Sequence, residues 1–189
     1  MIARSLLSLL AVAAVAMHTC VASAVENGIY RISPDEYNLV TSHDTSDSAV
    51  FLIGPDHPPG TSQDWRVENV DSEDSIVIRN VKTGLYLAPR NPKMIQNHDE
   101  TIVSRDAFIW SVYRDSENGK VIVEHPNDVL GELPMVLGVS PKRIWPPRVD
   151  TQWWNSGNQD VKWVFERRDG YKQGNHRCGP WRIQRDPDF

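Results

Sequence analysis

The most restrictive feature of this sequence is a tryptophan that recurs three times in similar short segments about 50 residues apart. The segments are Trp65-Arg66-Val67-Glu68, Trp110-Ser111-Val112-Tyr113 and Trp163-Val164-Phe165-Glu166. In each segment the tryptophan and the apolar residue two positions later would share one face of a β-strand, because strand side chains alternate. A repeat of this length, built from strand-like segments, predicts three copies of one all-β unit.

A second series of apolar residues keeps the same period. Ile32, Ile78 and Val123 each lie in a short β-branched segment, and they are separated by 46 and then 45 residues. Two independent series with one period favour a structural repeat over chance.

The repeat also organises the rest of the chain into short extended segments separated by Pro, Gly, Asn and Asp. We predict twelve strands: 29–33, 37–41, 50–53 and 65–69 in the first copy; 75–81, 84–88, 100–103 and 109–114 in the second; and 120–124, 135–139, 148–151 and 161–167 in the third. Units of four strands that cannot close a core alone bury their apolar faces against one another. The predicted fold is therefore an all-β, single-domain β-trefoil, a six-stranded barrel capped by three hairpins. A β-sandwich with accidental periodicity is the alternative.

The ends of the chain have a different character from this domain. An apolar run at residues 6–17 is followed by the small-residue pattern Ala22-Ser23-Ala24, which predicts a signal peptide at residues 1–24 and a secreted, extracellular protein. The trefoil domain is predicted at residues 25–168. A basic tail follows at residues 169–189 and contains Cys178, which would be the single cysteine of the mature chain, so no intramolecular disulfide is expected.

Charge and motif content argue against several functions. The formal net charge is −5, and mild acidity disfavours nucleic acid and anionic membranes as partners. No histidine lies at metal-ligand spacing from another His or Cys, and neither a Gly-x-Ser-x-Gly motif nor a phosphate-binding glycine loop occurs. We therefore expect a binding protein without enzymatic activity, cofactor or metal. The sequence leaves open a pair of catalytic carboxylates like that of glycosidases, because such residues must be close in the folded structure but not in the sequence.

Two short motifs carry a family resemblance. Asn80-Val81-Lys82-Thr83-Gly84-Leu85-Tyr86-Leu87 places a tight Thr-Gly turn between two strands, with glycine free to adopt a positive φ. Together with Gly28-Ile29-Tyr30-Arg31-Ile32 and the Trp-x-Val segments, it resembles the fungal β-trefoil inhibitors of serine proteases. The motifs are shared in part with ricin B-type lectin domains. The resemblance covers residues 27–168 and implies a protease as the partner, inhibited by an exposed loop inserted into its cleft. Similar fungal trefoils inhibit cysteine proteases.

The resemblance implies two inhibitory loops, at residues 42–48 and 152–159. The first contains no Lys, Arg or Asn, which departs from what a trypsin-like protease requires. A nearby turn, Ser140-Pro141-Lys142-Arg143-Ile144-Trp145-Pro146-Pro147, carries paired basic residues between prolines that would reduce the entropy lost on docking. Lys142 and Arg143 are therefore the predicted inhibitory residues. They would otherwise be ordinary solvated turn charges, with Trp145 packed on the barrel rim.

A carbohydrate-binding lectin is the alternative function. Gln63-Asp64-Trp65 matches the Gln-x-Trp triplet of ricin-type repeats, whereas the segments before Trp110 and Trp163 do not. Sugar sites combine an aromatic platform with converging Asp, Asn and Gln side chains. The segment that offers this composition contains Trp153, Trp154, Asn155, Asn158, Gln159 and Asp160. Since adjacent strand residues face opposite ways, we expect at least one of the two tryptophans to be exposed unless the loop folds back.

Overall fold

The described part of the chain contains twelve strands and one short helix. The structure is a computed structural model that describes residues 23–34, 38–41, 44–54, 63–70, 72, 74–126, 133–155 and 157–168. The strands within these residues are β1 (Gly28–Ser33), β2 (Asn38–Thr41), β3 (Val50–Ile53), β4 (Trp65–Asn69), β5 (Ser75–Asn80), β6 (Tyr86–Pro89), β7 (Thr101–Ser104), β8 (Trp110–Arg114), β9 (Val121–Glu124), β10 (Met135–Val139), β11 (Val149–Trp153) and β12 (Val164–Arg167). A 3-10 helix, Gln159–Val161, lies between β11 and β12.

Six strands close into a barrel. Antiparallel pairing joins β1 to β4, β4 to β5, β5 to β8, β8 to β9, and β12 back to β1. A bridge between Val121 and Trp163 completes the circle between β9 and the start of β12. The other strands form three hairpins, β2–β3, β6–β7 and β10–β11. A barrel of this kind with three hairpins is a β-trefoil, and the predicted fold and its twelve strands are confirmed.

The three copies share one strand register. The tryptophans pair across strands as Tyr30 with Trp65, Ile76 with Trp110, and Val121 with Trp163. The residues two positions later pair as Val67 with Ile78, Val112 with Val123, and Phe165 with Ile32. Because strand side chains have a period of two, both sets stay on the inner face of the barrel. The sequence repeat is therefore a structural repeat.

The tryptophans form the centre of the core. Trp65, Trp110 and Trp163 are each 0% exposed. A buried indole N–H needs an acceptor, and the acceptor is equivalent in two copies. Trp110 Nε1 donates to the Leu87 carbonyl at 2.9 Å, and Trp163 Nε1 donates to the Leu137 carbonyl at 2.8 Å. Each bond links a barrel strand to the hairpin of its own copy.

Replacing Trp110 by alanine tests this core. We expect Trp110→Ala to lower the free energy of unfolding by about 3–5 kcal/mol. The substitution leaves a cavity among fully buried side chains, and it leaves the buried Leu87 carbonyl without its hydrogen-bond donor. Denaturant unfolding gives the value. Trp145→Ala is the matched control: Trp145 is 78% exposed, and its replacement should change stability by less than about 0.5 kcal/mol. Equal costs for the two variants would contradict this account.

The three hairpins meet at one end of the barrel. Single bridges join them pairwise: Ala49 with Ile102, Phe51 with Arg148, and Glu100 with Asp150. At this junction the Glu100 carboxylate accepts hydrogen bonds from Arg90 and Arg148. Burial tends to raise the pKa of Glu100, but the hydrogen bonds from both arginines outweigh it and lower that pKa. The carboxylate ties the second hairpin to the third.

The loop at the tip of each hairpin runs along the next hairpin in a similar way. Asp47 N donates to the Val103 carbonyl at 2.8 Å, and His98 N donates to the Thr151 carbonyl at 2.6 Å. Both donors have a positive φ, 66° for Asp47 and 65° for His98, which is uncommon for residues other than glycine. In the third copy Leu52 N donates to Pro147, directly after a cis peptide bond between Trp145 and Pro146.

Strand boundaries differ from the prediction mainly in the third copy. The segment 161–167 was expected to be one strand, but Val161 ends the 3-10 helix and β12 begins at Val164. The Asn158 side chain caps this helix by accepting from Asp160 N at 2.9 Å, which favours a turn over an extended chain. The strand expected at 148–151 extends to Trp153, so Trp153 belongs to β11.

The turn expected at Thr83-Gly84 has the expected conformation. Gly84 has a φ of 70°, and its N–H donates to the Asn80 carbonyl at 2.9 Å. The buried Asn80 side chain accepts from the backbone N–H groups of Lys82 and Thr83. The residues of this motif are thus explained by the turn itself.

Several predictions fall on residues outside the described ranges. These are residues 1–22 of the predicted signal peptide, Ser42 and His43 of the first loop, and the tail from residue 169 with Cys178. Ser23 and Ala24, at the end of the predicted signal peptide, are described, and Ala24 is buried in the core. Within the described residues no helix has the length and apolar character needed to cross a membrane.

Candidate functional site

An open cleft lies beside the third hairpin, at the end away from its tip. Its volume is about 580 Å³. The lining residues come from the β6–β7 tip loop, from the segment before β10, from β11 and from the loop before the 3-10 helix: Asn97, His98, Leu133, Gln152, Trp153, Trp154, Asn155 and Asn158. The cleft is therefore assembled from two copies of the repeat.

Trp153 lies at the end of β11, where it pairs with Met135. Its side chain is half-buried, and its backbone N–H donates to Asn97 Oδ1 at 3.2 Å. The strand fixes the backbone at this position, while part of the indole remains open to the cleft. Trp153 thus offers the cleft a partly accessible aromatic ring on a backbone held by strand pairing.

Trp154 has a more structural position. Its indole packs against a small apolar cluster of Ile122, Val136 and Val161. The ring meets Tyr113 edge-on, with 6.3 Å between centroids. Burial raises the pKa of Tyr113 to about 12, with a further contribution from the neighbouring Glu124 carboxylate, so this phenol stays neutral. Both tryptophans are half-buried, which differs from the expectation of one exposed ring, because the loop after β11 folds back onto the domain.

The polar wall of the cleft is held by a chain of amides. Gln152 Nε2 donates to Asp150 Oδ1 at 2.9 Å and to the Val139 carbonyl. Its Oε1 accepts from Asn158 Nδ2 at 3.3 Å. The Asn158 oxygen is already used to cap the 3-10 helix, so the orientation of both amides is determined by their partners.

The loop that carries Asn155 and Asn158 is anchored at its far end. Lys162 follows the 3-10 helix, and its side chain is 1% exposed, with Nζ 2.8 Å from Asp115 Oδ2. The hydrogen bond with Asp115 raises the pKa of Lys162, and the same bond lowers the pKa of Asp115. The charged pair is therefore favoured, and it ties the cleft loop to the turn between β8 and β9.

His98 and Asp150 face each other beneath the cleft. His98 Nδ1 lies 3.3 Å from Asp150 Oδ2, and the Asp150 side chain is 3% exposed against 37% for His98. Both atoms are buried, and neither makes a hydrogen bond to a described residue. A buried carboxylate oxygen at this distance restricts which ring nitrogen of His98 carries the proton.

The structure brings together part of the predicted sugar site. Trp153, Trp154, Asn155 and Asn158 line the cleft, while Gln159 and Asp160 lie in the 3-10 helix and are absent from its lining. Sequence reasoning missed Asn97, His98 and Leu133, and it placed Gln152 in the predicted inhibitory loop 152–159 but not in the sugar site. Two of these lie more than 50 residues before the tryptophans. Their one sequence signal was their position in the hairpin-tip loop of the preceding copy.

The predicted inhibitory residues Lys142 and Arg143 lie at the opposite end of the same hairpin. Both are exposed, in the loop that joins β10 to β11. Trp145 in this loop is 78% exposed rather than packed on the barrel rim. The five-residue strands separate the loop from the cleft by roughly 13–16 Å at about 3.3 Å per residue. The two predicted sites are therefore distinct surfaces.

Metal ligands are not clustered in the described residues. Within these ranges no group of three or more His, Cys, Asp or Glu side chains is arranged to hold an ion. The chemistry available in the cleft is aromatic contact and hydrogen bonding.

A substitution at Gly138 tests whether the position of the Gln152 amide in the cleft depends on close packing. A Cβ added there would lie 2.9 Å from both Gln152 Cδ and Val161 Cγ1. We expect Gly138→Ala to lower the free energy of unfolding by about 1–3 kcal/mol and to displace the Gln152 amide. Gly54→Ala is the control, because no described residue other than its chain neighbours has an atom within 4 Å of the added Cβ. Denaturant unfolding of both variants gives the comparison, and an unchanged Gly138→Ala protein would count against it.

Comparison with known proteins finds similarity in structure but not in sequence families. No protein-family model matches the chain, and no curated protein matches it. Among solved structures, a Polyporus squamosus lectin bound to a human-type influenza-binding epitope has a TM-score of 0.63 at 17% identity, covering 76% of this chain and 50% of that one. The Rhizoctonia solani agglutinin has a TM-score of 0.62 at 18% identity, covering 76% and 97%. The Macrolepiota procera ricin B-like lectin in complex with lactose has a TM-score of 0.59 at 19% identity, covering 76% and 99%.

These likenesses establish the fold class. The chain shares its fold, a β-trefoil, with these three fungal proteins, and it spans about half the length of the Polyporus squamosus lectin. They do not support the narrower resemblance to the trefoil protease inhibitors.

Proposed function

We propose that this protein is a secreted lectin that binds carbohydrate in the cleft around Trp153. The observation that carries the proposal is the partly open Trp153 indole beside amides whose orientations are determined by other contacts. The same fold occurs in three fungal proteins named as lectins or agglutinins. The main hypothesis from sequence, protease inhibition, has less support than this alternative.

The composition of the cleft suits a neutral pyranose. A sugar ring presents a weakly apolar C–H face, which stacks on an indole, and a rim of hydroxyl groups that both donate and accept. Asn97, Asn155 and Asn158 supply amides for that rim. Among the described lining residues there is no Lys or Arg to attract an anionic sugar. A neutral hexose is the expected unit of recognition.

The aromatic platform occurs in one copy of the repeat. The bridges between hairpins make Phe51, Ile102 and Asp150 counterparts, since each pairs with the residue that lies two positions before its equivalent in another hairpin. Gly54, Arg105 and Trp153 therefore correspond, each three residues further along the chain. Neither glycine nor arginine carries an aromatic ring. The proposal is therefore for one binding site of this design.

We also propose that the cleft binds without catalysing a reaction. Glycoside hydrolysis commonly uses two carboxyl groups on either side of the scissile bond. No carboxylate is among the described lining residues, and Asp150 beneath the cleft is 3% exposed.

Truncation of the platform tests the lectin proposal. Trp153→Ala should weaken glycan binding about tenfold or more, because it removes the stacking surface. A glycan array identifies the ligand, with lactose as the first probe since the Macrolepiota procera lectin is described in complex with it. Calorimetry then gives the affinities.

Trp145→Ala is the matched control for this measurement, since its indole is exposed in the loop at the opposite end of the hairpin. The control should bind as the wild type does. Equal losses in both variants would remove the assignment to the cleft, and no binding to any glycan would remove the lectin proposal.

Protease inhibition is the second candidate function, favoured by the loop that carries Lys142 and Arg143. Hydrogen bonds from Ser140 N to Arg148 and from Leu52 N to Pro147, both 2.8 Å, hold the base of the loop. Ile144 N also donates to the Lys142 carbonyl at 2.8 Å. A basic side chain on a braced, exposed loop suits the acidic specificity pocket of a trypsin-like protease.

The double variant Lys142→Ala with Arg143→Ala tests this candidate. If the chain inhibits a trypsin-like protease, the variant should lose inhibition by orders of magnitude with an unchanged melting temperature, because both side chains are solvent-exposed. A panel of serine and cysteine proteases gives the inhibition constants. The exposed pair Arg66→Ala with Arg105→Ala is the control for charge. Absence of inhibition by the wild type would eliminate this candidate.

A further inference from the structure

We propose that buried Asp150 holds His98 in the tautomer that carries its proton on Nδ1, so that Nε2 faces the cleft as a hydrogen-bond acceptor for a sugar hydroxyl. This inference rests on the proposed carbohydrate-binding function and names a determinant of its specificity. His98 lines the cleft, and Asp150 lies beneath it.

The first step is the geometry of the pair. His98 Nδ1 is 3.3 Å from Asp150 Oδ2, and both atoms are buried and make no hydrogen bond to a described residue. An ionised carboxylate can only accept. A proton on Nδ1 therefore provides the hydrogen bond that both atoms lack, whereas a bare Nδ1 would place two acceptors against each other in a buried place.

The second step is the direction of the other nitrogen. Nδ1 and Nε2 lie on different edges of the ring, and the edge that carries Nδ1 faces the buried carboxylate. The His98 side chain is 37% exposed and lines the cleft although its Nδ1 is buried, so we assign the exposed part to the edge that carries Nε2. In the neutral ring with a proton on Nδ1, Nε2 is an acceptor. The cleft thus gains an acceptor beside its amides.

The third step is the backbone that presents His98. Its φ of 65° is uncommon for a residue with a side chain, and its N–H donates to the Thr151 carbonyl, next to Asp150, at 2.6 Å. The neighbouring Thr151 N donates in return to the Asp99 carbonyl at 2.9 Å. These bonds fix the distance between the loop and β11, and so they keep the imidazole over the carboxylate.

The charged and polar groups around the pair restrict what a substitution can do. Asp150 Oδ1 already accepts from Gln152 Nε2, whose amide also donates to the Val139 carbonyl. In an Asp150→Asn protein the new oxygen would keep the bond from Gln152, which leaves the new NH₂ group facing His98 Nδ1. That group donates, so His98 should move its proton to Nε2 and change from acceptor to donor in the cleft.

The experiment compares the wild type with Asp150→Asn and uses Asp160→Asn as the control. Asp160 is an exposed aspartate on the nearby 3-10 helix, so its replacement makes the same change of charge and shape. The ¹⁵N chemical shifts of the His98 ring report the tautomer in the ligand-free protein at neutral pH. We expect a proton on Nδ1 in the wild type and in Asp160→Asn, and on Nε2 in Asp150→Asn.

The second measurement is affinity for lactose, or for the best ligand of the array, by calorimetry. Asp150→Asn should bind about tenfold or more weakly, while Asp160→Asn binds as the wild type does. A wild-type ring with its proton on Nε2 would overturn the inference, as would unchanged affinity in a folded Asp150→Asn protein. If the wild type binds no glycan, the proposed function fails, and the ring shifts still decide whether Asp150 sets the tautomer.

Discussion

The hydrogen bond from a buried tryptophan to a hairpin carbonyl is the contact on which the rest of the architecture depends. Trp110 and Trp163 each fill the barrel and reach out of it to one backbone oxygen, of Leu87 and of Leu137. A barrel strand and a cap hairpin are thereby positioned relative to each other by a single side chain. Leu137 immediately precedes Gly138, against which the Gln152 amide packs, so the core is connected to the wall of the cleft through two neighbouring residues.

The cleft owes its form to a second consequence of the repeat, the way each hairpin-tip loop lies along the next hairpin. Asp47 and His98 occupy matching places with nearly the same backbone angle. In the first case the residue lies beside Val103, and in the second it lies beside Thr151, next to a buried carboxylate. A backbone arrangement found in two copies thus supports, in one of them, a polar group at the cleft.

The sequence predicts much of the fold and less of the site. Three tryptophans with matching neighbours determine the barrel register, because strand pairing transmits a local period over the whole chain. Trp153, Trp154, Asn155 and Asn158 are close in sequence, and composition was enough to group them. His98 and Asn97 could not be grouped with them, since their place depends on how the loop after β6 crosses to β11. Val161 was misassigned because the cap provided by Asn158 competes with strand formation.

Under the proposed lectin function, the restriction of the aromatic platform to the third copy would set the valency of the protein. Gly54 and Arg105 occupy the corresponding positions of the other two copies, so the described residues of a single chain offer one indole platform of this kind. Cross-linking of cells or of branched glycans requires at least two sites on one particle, and avidity multiplies affinity only when they can be occupied together. A monomer with this surface would coat glycans without joining them. Exchanging Arg105 for an aromatic residue would then be the shortest route from a monovalent binder toward an agglutinin.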